Sequence, residues 1–183
     1  MKKILLHVCC APCSPYVIEL LKEKFNITLY FYGPNIHPRE EYLFRLEEVK
    51  RFSQECGLKL ITGDYDAGEW FSEMKGLEAQ PEGGKRCERC FTMRLQQSCS
   101  LSKKGKFDLF ATVLTVSPHK NSAVINTIGA DISKQASHTF YTADFKKNNG
   151  FQKSVALGKK FNLKRQNYCG CLFSQRRDKK RPS

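Results

Sequence analysis

The stretch KILLHVCCAPCSPY, residues 3–16, runs from an apolar segment through three closely spaced cysteines into a segment with helix-start signals. KILLHV is short and apolar, which predicts a buried strand. Ser14 followed by Pro15 is typical of an N-cap and the first residue of a helix. A strand that passes into a helix in this way is the building unit of a parallel α/β sheet.

Short apolar segments and amphipathic segments alternate along the rest of the chain. The predicted strands are KILLHV (3–8), ITLYFY (27–32), LKLITG (58–63), DLFATVLT (108–115) and HTFYT (138–142). Predicted helices begin at Ser14 and near Pro38, the second ending at Gly57, and others cover 66–76, 88–100, 121–134 and 151–161. This alternation predicts an α/β fold with a mostly parallel sheet.

Four of the predicted strands are followed by segments of unusual composition: CCAPCS (9–14), GPNIHP (33–38), GDYD (63–66) and SPHKN (117–121). In open α/β sheets, ligands bind beyond the carboxyl ends of the strands. We therefore expect these four segments to converge on one crevice.

The length of 183 residues suits a single domain, 1–183. No segment approaches the roughly 18 uninterrupted apolar residues of a membrane span, so no membrane partner is expected. The apolar run in MKKILLHVCC is shorter than a signal-peptide core and leads into cysteines, which favours a strand in a cytoplasmic protein. In that reducing compartment, clustered cysteines indicate metal or redox chemistry rather than a disulfide framework.

Most of the net charge of +13 lies near the end of the chain. Residues 146–183 hold twelve Lys/Arg and one acid, Asp178. A solvated basic tail is one explanation. The aromatic residues interleaved with this charge (Phe145, Phe151, Phe161 and Tyr168) favour a polyanion partner, most simply nucleic acid.

Seven of the nine cysteines fall into three compact groups. The groups are Cys9, Cys10 and Cys13, then Cys87 and Cys90, and last Cys169 and Cys171. The other two, Cys56 and Cys99, stand alone and are expected to be packing residues. Three compact groups in one chain predict a metal centre.

The residues leave several functions open. Cys10 and Cys13 form a CxxC of the kind used by thiol–disulfide oxidoreductases. Four of the thiols could instead hold zinc in a non-enzymatic RNA-binding module, although zinc would leave three thiols unused. A [4Fe–4S] cluster also takes four thiolates. Cys169 and Cys171, two residues apart, have Cα atoms roughly 6.6 Å apart in extended chain, which suits either a redox pair or chelation of a metal ion.

Six motifs together resemble one family. They are LLHVCCAPCS, FYGPNIHPREEYLFR, KRCERCFTMRL, TVLTVSPHKN, DFKKNNGFQKSVAL and RQNYCGCLFS, and in this order they resemble the QueH family, the cobalamin-independent epoxyqueuosine reductases. The resemblance implies a Rossmann-like (HUP-type) fold with helices on both faces of the sheet, and a basic helical C-terminal extension, 146–183. It implies a [4Fe–4S] cluster and an additional iron. Cluster ligands would be Cys9, Cys10, Cys87 and Cys90, the redox-active pair would be Cys169 and Cys171, and Cys13 is a candidate ligand of the additional iron.

The reaction that the resemblance implies is the last step of queuosine synthesis in tRNA. Conversion of an epoxide to an alkene takes two electrons and two protons and releases water, so an electron donor is required. The expected substrate is a tRNA with a GUN anticodon, whose wobble base is splayed into a pocket while the basic segment binds phosphates. Candidate substrate-contacting residues are Tyr32, Asn35, His37, His119, Lys120 and Asn121.

Overall fold

The computed structural model describes residues 1–175. Five strands form one sheet: β1 (Lys2–Val8), β2 (Phe25–Phe31), β3 (Lys59–Thr62), β4 (Leu109–Thr112) and β5 (Thr139–Phe140). Six α-helices alternate with them: α1 (Pro15–Leu21), α2 (Arg39–Glu55), α3 (Ala67–Glu73), α4 (Lys85–Lys104), α5 (Ser122–Ala136) and α6 (Gly150–Lys160). Every strand pair is parallel, in the order β3-β2-β1-β4-β5. The prediction of an α/β fold with a parallel sheet is confirmed.

The central strand β1 is buried on both faces. Ile4, Leu6 and Val8 pack into one apolar cluster with α1 and α2, whereas Leu5 packs into a second cluster with α4 and α5. Successive side chains of a strand point to opposite faces. The sheet is therefore covered by helices on both faces, as expected.

The fourth predicted strand is shorter than the sequence indicated. DLFATVLT was expected to be extended over 108–115, but β4 ends at Thr112 and residues Val113–Val116 form a 3₁₀ turn. Thr112 Oγ1 accepts a hydrogen bond from the Leu114 amide at 3.2 Å and caps this turn. It also hydrogen-bonds Nδ1 of the buried His7 on β1 at 2.8 Å. The prediction failed because this capping residue lies within a continuous apolar run.

The C-terminal segment folds back over the carboxyl ends of the strands. Helix α6 packs on α1, and Ser154 Oγ donates to the Pro12 carbonyl at 2.9 Å. Residues 161–175, which we call the strap, then return across this edge of the sheet. The strap holds only a 3₁₀ turn at Leu172–Ser174, so the expected helical extension is helical in α6 alone. The predicted frayed end, 176–183, lies outside the described residues.

In the part of the chain that the structure describes, none of the helices is long and apolar enough to cross a membrane.

Candidate active site

The topology places a crevice between β1 and β4. After β1 the chain continues to β2 on one side of the sheet, and after β4 it continues to β5 on the other side. Open α/β folds bind ligands at the point where the strand order reverses in this way. A cavity of about 320 Å³ lies there, within the usual range for small-molecule sites. One wall contains Cys9, Cys10 and Cys13, which follow β1, and another contains residues 117–120, which follow β4.

A second, smaller cavity adjoins the first and contains the other cysteine groups. Cys87, Cys90, Cys169 and Cys171 line it. The two cavities share four residues, Glu82, His119, Lys120 and Cys169. The structure thus brings the three cysteine groups to one continuous site, although within residues 1–175 no three His, Cys, Asp or Glu side chains are close enough to hold a metal ion as they stand. Cys56 and Cys99 line neither cavity and pack against the two apolar clusters, as predicted.

The loop before α4 and helix α3 supply hydrogen-bond donors to Cys87 and Cys90. The Gly83 amide donates to Cys87 Sγ at 3.2 Å, and the indole Nε1 of Trp70 donates to Cys90 Sγ at 3.3 Å. Burial raises the pKa of both thiols. Donors aimed at sulfur stabilise a charged thiolate, which is the form of cysteine that can bind a metal.

The three thiols after β1 form a hydrogen-bonded row. Hydrogen bonding to Cys13 raises the pKa of Cys10 to about 12, and hydrogen bonding to Cys10, together with burial, raises the pKa of Cys9 well above its ordinary value. The same bond from Cys10 lowers the pKa of Cys13, in spite of burial. Negative charge in this row therefore settles first on Cys13.

Two buried arginines lie beneath the thiols. Arg94 is 2% exposed and contacts Cys9 from one cysteine group and Cys90 from another. Burial alone would lower the pKa of Arg94, but the charges of these two cysteines raise it. Arg45 is also 2% exposed and is paired with Glu41 at 2.7 Å. Both guanidinium groups compensate negative charge on thiolates that the protein interior would otherwise disfavour.

The strap holds Cys169 and Cys171 at the mouth of the site. Arg45 donates to the carbonyls of Tyr168 at 3.3 Å and Cys169 at 3.1 Å. The His37 amide donates to the Gly170 carbonyl at 2.8 Å. Gly170 has φ +116°, a backbone conformation that favours glycine and makes the bend between the two cysteines.

Cys169 and Cys171 differ in acidity. Hydrogen bonding from Cys171 lowers the pKa of Cys169 well below its ordinary value, and Lys120 and Ser174 support the same shift. The same bond raises the pKa of Cys171. Of the two, Cys169 is therefore the thiol that ionises more readily, and disulfides form by attack of a thiolate on sulfur.

Four of the six candidate substrate-contacting residues line the cavities. His119 and Lys120 line both cavities, whereas Asn35 and Asn121 line the smaller one. Asn35 Oδ1 is buried and has no hydrogen-bond partner among the described residues. Asn121 Oδ1 caps α5 by accepting from two backbone amides, so a structural role accounts for this residue.

The other two candidates lie behind the cavity wall. Tyr32 stacks on Tyr30 in the core, with ring centroids 5.6 Å apart, and burial raises its pKa to about 12. His37 stacks on Phe71, with centroids 4.6 Å apart. The His37 carbonyl accepts a hydrogen bond from Tyr168 at 2.6 Å, so its observed role is to hold the strap.

Sequence reasoning missed the two buried arginines, although both carried a signal. Arg94 follows Cys90 by four residues and therefore lies on the same face of α4. Arg45 falls between Tyr42 and Val49 on the apolar face of α2, where a charged residue is unexpected.

The chain is similar to one family of known proteins over almost its whole length. The family model described as epoxyqueuosine reductase QueH matches residues 4–177. The chain belongs to the QueH family. The QueH of Streptococcus pyogenes serotype M1 is 42% identical over 177 residues, covering 93% of this chain and 69% of that protein. The QueH of Haemophilus influenzae is 40% identical over 176 residues (95% and 72%), and that of Thermotoga maritima 36% over 187 residues (98% and 94%).

Membership of the QueH family decides between the functions that the cysteines left open. This QueH chain is an oxidoreductase, an epoxyqueuosine reductase of queuosine biosynthesis. The family's activity is neither thiol–disulfide exchange by Cys10 and Cys13 nor RNA binding by a zinc-stabilised module.

Proposed function

We propose that this epoxyqueuosine reductase acts on the wobble nucleoside of tRNA with a GUN anticodon through a [4Fe–4S] cluster and a redox-active cysteine pair. Cys9, Cys10, Cys87 and Cys90 would hold the cluster, and Cys169 and Cys171 would form the pair. The observation that carries this proposal is the convergence of these six thiols, from three distant parts of the chain, on two adjoining cavities.

The donor set fits such a cluster. The cavity walls offer thiols as ligands, and Arg94 contacts one member of each of the two proposed ligand pairs. Gly83 and Trp70 supply hydrogen bonds to sulfur, which are among the features that tune cluster potentials. A bound [4Fe–4S] cluster would supply electrons one at a time at this position.

The Cys169–Cys171 pair can provide the number of electrons and protons that the reaction needs. Closing the dithiol to a disulfide releases two electrons and two protons. Conversion of the epoxide to the alkene consumes two electrons and two protons and releases the oxygen as water. An external electron donor must then reduce the disulfide for the next turnover. The alternative use of the pair, as ligands with Cys13 of an additional iron, is separated from this one by an experiment given below.

The larger cavity suits a splayed nucleoside. Phe151 and Tyr168 offer aromatic surface, and Arg165 lies over the Phe151 ring at 4.8 Å from its centroid. Bases that leave the anticodon stack are commonly bound by stacking on aromatic or guanidinium planes. Exposed lysines of α6, such as Lys153 and Lys159, extend the basic surface away from the cavity toward the phosphates.

The proposal is tested by anaerobic turnover of tRNA that carries epoxyqueuosine, with the nucleosides analysed by mass spectrometry. Serine variants at each of the four proposed ligands should lose bound iron and sulfide and fail to make queuosine. Cys56→Ser and Cys99→Ser are the matched controls, and both should keep the metal and the activity. Full iron and sulfide in Cys87→Ser would contradict the ligand assignment, as would metal loss in a folded Cys99→Ser protein.

A further inference from the structure

The site contains one acidic side chain that the mechanism does not use. Glu82 lines both cavities and is the sole carboxylate on either wall among the described residues. The other charged groups there are cations, with Lys120 shared by both cavities and Arg45 and Arg165 on the wall of the larger one. Glu82 is exposed, so its carboxylate is open to a positively charged group of a ligand.

The loop before α4 fixes the backbone on both sides of Glu82. Arg86 donates to the carbonyl of Glu78 at 2.8 Å and also to that of Gln80. Gly83 has φ +86°, which favours glycine, and its amide is the donor to Cys87 Sγ. The carboxylate is therefore carried on an ordered turn next to a proposed cluster ligand.

Among the residues that the structure describes, no group is paired with the carboxylate of Glu82. Within residues 1–175, the carboxylate forms neither an ion pair nor a hydrogen bond, whereas Glu41, which lines neither cavity, is paired with Arg45. A carboxylate beside a polyanion-binding surface opposes that binding through repulsion. Its presence there is explained if it binds part of the substrate.

We propose that Glu82 binds the secondary ammonium group of epoxyqueuosine. This inference rests on the proposed function. The nucleoside is a 7-deazaguanosine whose cyclopentane ring is attached through an aminomethyl linkage, and a dialkyl amine of this kind is protonated near neutral pH. The amine-bearing carbon adjoins the epoxide, so a carboxylate that binds the ammonium must lie beside the redox thiols. Glu82 meets that condition because it shares both cavities with Cys169.

The inference predicts a loss of discrimination in Glu82→Gln. Three forms of one tRNA are compared on the anaerobically purified enzyme: epoxyqueuosine, 7-aminomethyl-7-deazaguanine, or guanine at the wobble position. The wild type should bind both amine-bearing tRNAs more tightly than the guanine form. Glu82→Gln should lose that preference on the order of 10- to 100-fold, the worth of one charge-assisted hydrogen bond. Its KM for epoxyqueuosine-tRNA should rise, with kcat little changed.

The matched control is Glu88→Gln, an exposed carboxylate one turn into α4 that lines neither cavity. It removes the same charge from the same region, so it reports the general gain in tRNA affinity and should leave the discrimination intact. An unchanged cluster absorbance in both variants shows that the fold is retained, and Glu82→Asp should restore part of the preference.

Several results would overturn the inference. Discrimination that survives in Glu82→Gln would do so, as would a fall in kcat with the binding preference intact, which would make Glu82 a proton donor. Loss of affinity for the epoxyqueuosine form alone would mean that Glu82 contacts the cyclopentane ring instead of the amine. If the wild-type enzyme fails to reduce epoxyqueuosine, both the proposed function and this inference are refuted. If the wild type turns over normally and Glu82→Gln keeps the same binding preference, this inference alone is refuted.

Discussion

Two arginines of α2, the buried Arg45 and the exposed Arg51, both donate hydrogen bonds to the strap. Replacing each in turn tests which of them holds the strap in place. Arg45 is 2% exposed and donates to the carbonyls of Tyr168 and Cys169. Arg51, 47% exposed, donates to the carbonyls of Phe161 and Asn162 at 3.0 and 3.4 Å. Each also pairs with a glutamate of its own helix. Replacement by methionine removes the charge and keeps much of the apolar stem.

The two substitutions should lower the free energy of unfolding by different amounts. Water can replace the contacts of the exposed Arg51, but not those of the buried Arg45. Arg45→Met removes two charge-assisted hydrogen bonds to partly buried carbonyls and leaves the Glu41 carboxylate unpaired, which should lower the free energy of unfolding by roughly 3–5 kcal/mol. Arg51→Met breaks contacts that solvent already screens, and it should cost less than about 1 kcal/mol.

Urea denaturation of the anaerobically purified variants gives the free energies, and hydrogen exchange locates the effect. In Arg45→Met, amides of residues 164–175 should exchange on the order of 100-fold faster while those of β1 are affected less, because the strap opens locally. Equal free energies for the two variants would refute the reasoning. An Arg45→Met protein that is destabilised uniformly, with no excess exchange in the strap, would also refute it.

Two further predictions concern the charge and the cysteine pair. Lys147→Glu and Arg165→Glu should each weaken tRNA binding and reduce the slope of log affinity against log salt by about one. The control, Lys2→Glu at the amino end of β1, should change neither. If none of the three variants alters the salt slope, the RNA-binding surface lies elsewhere. Cys171→Ser should retain its cluster iron and bind tRNA but fail to reduce epoxyqueuosine. A Cys169–Cys171 disulfide in the wild-type enzyme after one turnover without reductant would show that the pair is a redox couple. Loss of about one iron in Cys171→Ser would show that the pair binds a metal ion. Loss of the whole cluster in Cys171→Ser would contradict both roles.

The sequence predicted the layers of this fold because the apolar runs are short and the segments between them have helical periodicity. It overextended β4, because Thr112, which caps the 3₁₀ turn that ends the strand, lies within the apolar run. The three cysteine groups could be recognised locally, but only the first follows a strand, so the meeting of strand ends at one edge does not by itself bring the other two to the same site.

The charges around the thiols were harder to predict. Arg94 lies beside Cys9 only because α4 packs across β1, and nothing near Glu82 in the sequence shows that its loop reaches the crevice after β4. Such long-range neighbours depend on tertiary packing, which periodicity and spacing do not encode.

The position of the strap in the chain sets an order of assembly during translation. All four proposed cluster ligands lie within the first 90 residues, and the anchors of the strap, Arg45 and the His37 backbone, are synthesised before it. A nascent chain that has emerged through α6 already carries every strand of the sheet and an uncovered crevice. Iron and sulfide could therefore be loaded from solvent at that stage. The strap, with its two cysteines, would then cover the proposed centre as the last part of the described chain to emerge.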